Sequence, residues 1–86
     1  MHEFSLAQEV CRLAEEVLER EQGVAVRGIG VAVGPEAGVE LESFRFCLEA
    51  LLLDPPFTGA RAELLPAPGD TLRLTFVEVD DGRPDH

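Results

Sequence analysis

The chain has 86 residues, of which 17 are acidic and seven basic, and its formal net charge is −10. That length allows one domain with a modest core, and 45% hydrophobic residues are enough for it to fold. The charge argues against nucleic acid and against an anionic membrane surface, because phosphate recognition needs clustered Lys and Arg; it allows cationic partners, metal ions included.

Residues 5–22 have the spacing of an amphipathic helix. Leu6, Val10, Leu13, Ala14 and Val17 form one apolar stripe, with Glu9, Glu15, Glu16 and Glu19 mostly off it. Ser5 and Gln8 fit a capping box at its start, and Gly23 a stop at its end. Residues 25–33 read as a strand. Its larger face carries Arg27, Ile29, Val31 and Val33, and its smaller face Val26, Gly28, Gly30 and Ala32. The small face either packs few side chains or lets a partner's backbone approach, and the second reading is preferred. Gly34-Pro35-Glu36-Ala37-Gly38 is a loop.

Residues 40–53 read as a second helix, with Phe44, Leu48 and Leu51 on one face and Leu41, Cys47 and Leu52 on its flanks. Asp54-Pro55-Pro56 ends it. Residues 60–65 and 71–79 read as strands, joined by Pro66-Ala67-Pro68-Gly69-Asp70, which is short enough for a hairpin turn. Alternation in the last strand changes phase near Thr75 and Phe76, and a β-bulge there would restore it. Residues 82–86 are expected to be a flexible tail. The order α-β-α-β-β predicts an α+β domain, a three-stranded sheet with both helices on one face. A small core and an open sheet face admit a homo-oligomer.

Two cysteines, Cys11 and Cys47, are too few for a disulfide scaffold or a four-cysteine zinc site. Each falls on or beside an apolar helical stripe, where a buried thiol is commoner than a ligand. The start Met-His-Glu lacks the basic and apolar segments of a signal peptide, and no apolar run approaches the roughly 18 residues of a membrane span. A cytoplasmic protein with reduced thiols is expected. No nucleophile elbow, phosphate loop or paired helical His ligands are present, so no enzymatic activity is expected.

Met1-His2-Glu3-Phe4-Ser5-Leu6-Ala7-Gln8 resembles the start of the HypA/HybF family, the nickel metallochaperones of [NiFe]-hydrogenase maturation. Further segments carry the likeness: 31–34 with 38–40, the aromatic stretch 43–48, Gly59-Ala60-Arg61-Ala62-Glu63-Leu64, and 72–74 with 77–79. Family members carry a zinc domain with two Cys-x-x-Cys pairs before the last strand. Here that place holds residues 66–70, and no cysteine follows Cys47. The resemblance therefore implies a nickel-binding domain over residues 1–81 without the zinc domain, and no zinc is expected.

In the family the corresponding His and Glu are implicated in nickel binding, which carries that role to His2 and Glu3, and the amine role to Met1. The amine of Met1, the backbone amide of His2 and its imidazole are contiguous and would form fused chelate rings; nickel(II) suits such nitrogen and oxygen donors. Glu3 would add a carboxylate or orient the ligands. An imidazole must be neutral to ligate, so affinity is expected to fall below about pH 6. His86 beside Asp85 is read as incidental.

The implied function is transient Ni(2+) binding and delivery to a hydrogenase large subunit or another nickel-maturation protein. The alternative is an adaptor or structural subunit of a hydrogenase-related assembly, without autonomous nickel delivery. It would bind its partner through the small-residue sheet face, beside an exposed Phe76.

Overall fold

The computed structural model describes residues 2–84. The elements are α1 (His2–Arg20), β1 (Ala25–Val33), α2 (Leu41–Leu51), β2 (Arg61–Pro66) and β3 (Leu72–Asp80). The fold is α+β, two helices over a three-stranded mixed sheet of order β2-β1-β3. No helix among the described residues is long and apolar enough to cross a membrane.

α1 begins three residues before the expected start, so Ser5 lies inside the helix and does not cap it. At the other end Gly23 N–H donates to Leu18 O at 3.1 Å and Gln22 N–H to Glu19 O at 3.1 Å. This is a Schellman closure, and Gln22 (φ 55°) takes the left-handed position instead of glycine. Ala7, Val10, Cys11, Ala14 and Leu18 are buried, while Leu6, Leu13 and Val17 are only half-buried on the flank.

β1 is the central strand. It pairs parallel with β2 and antiparallel with β3. The expected hairpin between β2 and β3 does not form, because β1 lies between them. A parallel pair needs a long crossover, which α2 supplies between β1 and β2. The segment after β2 then arches over the end of β1: Gly34 N–H donates to Thr71 O at 2.7 Å and Glu36 N–H to Gly69 O at 2.8 Å. Gly34 is in contact there with the backbone of Gly69, and any side chain would overlap it.

Two register shifts interrupt the β1–β3 ladder and leave Arg27 and Thr75 without opposed residues. The shift at Thr75 is the expected bulge, and the Thr75 hydroxyl donates to Gly30 O at 3.0 Å. The shift at Arg27 was not expected and corrects the face assignment. It turns Val26 (1% exposed) inward beside Ile29, Val31 and Val33, while Arg27 faces solvent and pairs with Asp80 at 2.5 Å. These β1 residues meet Phe44, Cys47, Leu48 and Leu52 with the α1 face in a single core. Full burial of a side chain such as Phe44, Ile29 or Leu48 contributes about 1.5–3 kcal/mol each.

The opposite face of β1 is bare of bulk but not open. The ring of Phe76 lies on Gly30, and the Glu78 side chain lies over Gly28, where it meets Arg61 at 3.5 Å. Side chains from both outer strands thus fold inward over the glycines and bury them.

Candidate metal centre

His2 and Glu3 are consecutive residues of the first turn of α1, with His2 Nδ1 3.6 Å from Glu3 Oε2. The His2 side chain is 59% exposed and that of Glu3 only 13%. The reason for the difference is α2. Glu40, its N-cap, donates its backbone N–H to Glu3 Oε2 at 3.2 Å, so Glu3 reaches from one helix start to the other. Glu40 is itself fixed: its carboxylate accepts from Ser43 N–H at 2.9 Å and Glu42 N–H at 3.4 Å. The Glu40 N–H, foremost, and the neighbouring His2 hold the Glu3 carboxyl below its ordinary value, so it is ionised at neutral pH. One carboxylate takes more than one partner: Oε2 accepts from Glu40 and lies beside the imidazole, and the carboxylate keeps further acceptor capacity.

The donor set suits nickel(II). It offers an imidazole, an ionised carboxylate and the amide of His2, which sits in the first turn, where backbone N–H groups have no intrahelical acceptor. Met1, the remaining expected donor, lies outside the described residues, as does His86. The described residues alone hold no group of three or more His, Cys, Asp or Glu side chains placed for a metal ion. His2 and Glu3 form a pair to which a further donor must be added.

Cys11 and Cys47 are each 7% exposed in the core. Burial first, and then the nearby Glu15, push the Cys11 thiol up to about 11, which keeps it protonated at neutral pH. The thiolate is the metal-binding form, so a core role suits Cys11, and burial alone assigns Cys47 to the core. Sequence reasoning missed the engagement of Glu3 by Glu40. The available signal was Gly38-Val39-Glu40 ahead of an apolar-periodic run, which marks a helix start without saying what else that start meets.

Comparison with known proteins agrees with the fold. A small α+β domain with a His-Glu pair at its first helical turn is the class defined here. The family described as "Hydrogenase/urease nickel incorporation, metallochaperone, hypA" matches residues 1–72, and the chain belongs to this HypA family. A hydrogenase maturation factor HypA of Azotobacter vinelandii is 39% identical over 69 residues, covering 80% of this chain and 61% of the relative. One from Albidiferax ferrireducens is 36% identical over 79 residues, covering 92% and 70%. The chain thus spans less than two thirds of the length of the Azotobacter protein. The solution structure of the Ni metallochaperone HypA from Helicobacter pylori superposes with a TM-score of 0.81 at 13% identity, covering 91% of this chain and 97% of that one, and shares the fold.

Proposed function

We propose that this chain binds Ni(II) transiently through Met1, His2 and Glu3 and hands it on during hydrogenase maturation. The observation that carries the reading is the His2/Glu3 pair, adjacent on an exposed first turn with its carboxylate already ionised and oriented by Glu40. The imidazole and the amide of His2, with the amine of Met1, would chelate the ion in fused rings. Glu3 would supply a carboxylate or hold the imidazole. The role is transfer of a metal, with no chemical transformation of a substrate. The receiver is a hydrogenase large subunit or another nickel-maturation protein. Residues 1–81 would act as the nickel domain, with 66–70 in place of the family's zinc domain.

Titration calorimetry of the untagged protein with Ni(II) tests this. His2→Ala should abolish high-affinity binding, and one residue added ahead of Met1 should weaken it at least tenfold. Unchanged affinity in both variants would remove the site. The adaptor reading placed a partner backbone against Gly28 and Gly30. Phe76 and the Arg61/Glu78 pair cover those residues, which weighs against it. Nickel-independent capture of a hydrogenase subunit that survives His2→Ala would revive that reading.

A further inference from the structure

Among the described residues, the two most exposed large apolar side chains are Phe46 (74%) and Leu53 (68%), and both stand on one face of α2 and its last turn. Phe44 and Leu48 are fully buried and Cys47 nearly so, which fixes the core side of the helix. Successive helical residues turn by about 100°, so Phe46 points away from that core, with exposed Ala50 one turn further on. Leu53 follows the C-cap. Leu52 keeps right-handed helical angles and Leu53 N–H donates to Ala50 O at 3.4 Å, so the last turn continues the same line. The order large, small, large leaves a notch over Ala50 between two side chains about 10 Å apart along the axis. Single exposed apolar residues are ordinary on a protein surface, but two aligned large ones form a shaped patch.

We propose that this face of α2 docks a basic amphipathic helix of another protein. A notch between residues seven apart accepts one large side chain of a helix lying alongside, as in knobs-into-holes packing. The charges select the occupant. Glu42 and Glu49 have the same seven-residue spacing as Phe46 and Leu53 and flank them on one side, and Asp54 closes the line. Glu42 and Asp54 take part in none of the ion pairs among the described residues, and Glu49 only in one with Arg45 at 3.8 Å. A second copy of α2 would set these carboxylates against their own kind, whereas Lys or Arg beside the apolar stripe of a different helix would meet them. The whole chain, at −10, draws a cationic segment in the same sense. Phe46 lies about 9 Å along the axis from Glu40, whose N–H holds Glu3. A docked helix therefore stands beside the His2/Glu3 pair, where it would hold a receiver of nickel. That last consequence rests on the proposed function; the docking does not.

Fluorescence anisotropy of a labelled helical peptide of about five turns, with leucine on one stripe and lysine elsewhere, tests this in EDTA and so without nickel. The wild-type protein should bind it with a micromolar Kd. Phe46→Ser and Leu53→Ser, each with unchanged far-UV circular dichroism, should weaken binding about tenfold. Glu42→Lys combined with Glu49→Lys should weaken it about as much. Val24→Ser, at a residue 63% exposed elsewhere on the surface, should leave it unchanged. No binding by the wild type below about 500 µM, equal binding of a peptide with the same residues in scrambled order, or full affinity in Phe46→Ser and Leu53→Ser would each overturn the proposal. Phe46→Ser should also keep wild-type Ni(II) affinity in calorimetry, so the docking face and the nickel site can fail separately.

Discussion

Glu3, in the first turn of α1, accepts the backbone N–H of Glu40 at the start of α2, 3.2 Å away. One carboxylate thereby ties two helix starts that are 37 residues apart in the chain. It also fixes the group nearest His2, so the candidate metal site depends on helix packing as well as on the N-terminal sequence.

That tie has a pH signature. Glu3 and Glu40 are both held below the ordinary glutamate value of 4.5, each chiefly by backbone N–H donors. A carboxyl whose pKa is lower in the folded state adds stability above its unfolded value and loses it as pH falls through the folded value. Glu3→Gln should therefore lower the thermal midpoint at pH 7, and the gap to wild type should close as pH falls from about 4.5 towards 3. A gap that is constant across this range would mean that the charge on Glu3 contributes nothing.

Phe76 and Gly30 make a second testable pair. A side chain on Gly30 would overlap the Phe76 ring. Gly30→Val is expected to cost about 1–3 kcal/mol by overpacking. In Phe76→Ala the same substitution should cost much less, because the ring is gone. Urea denaturation of the four proteins completes the cycle, and additive effects would show that the ring does not rest on Gly30.

Gly34 and Gly38 should respond differently to alanine. At Gly34 a Cβ meets the backbone of Gly69, which cannot rotate aside, and the Gly34 N–H bond to Thr71 O is at risk. At Gly38 nothing lies near, and only the left-handed φ of 74° opposes a side chain. Gly34→Ala should cost about 2–3 kcal/mol and Gly38→Ala about 1 kcal/mol. Equal midpoint shifts in thermal melts would contradict the crossing of residues 67–71 over β1.

The thiol of Cys11, pushed up to about 11 by burial, should resist alkylation in the native protein at pH 7. Iodoacetamide labelling followed by mass spectrometry should show modification only as urea unfolds the chain. Fast native labelling of Cys11 would place it outside the core.

Much of this was legible in the residues. Apolar spacing located all five elements to within a few residues, and the phase change at Thr75 located a bulge that restores alternation. The N-terminal Met1-His2-Glu3 carried the family likeness that the HypA match bears out. The second bulge, at Arg27, was not legible, because Arg27 in phase with Ile29 and Val31 leaves the alternation intact. Only pairing with β3, and the contact with Asp80, turn it outward.

Sequence alone determined which residues are apolar, where helices and strands run, and which family the N-terminal motif resembles, because these depend on local periodicity and residue identity. Tertiary structure decided the rest. It placed β1 between β2 and β3 where a short link suggested a hairpin, since α2 carries the chain across to a parallel pairing first. It covered Gly28 and Gly30 with side chains from both neighbours, and it turned Glu3 towards Glu40. Each of these joins residues distant in the chain, and the pattern of one segment carries no record of which other segment will pack against it.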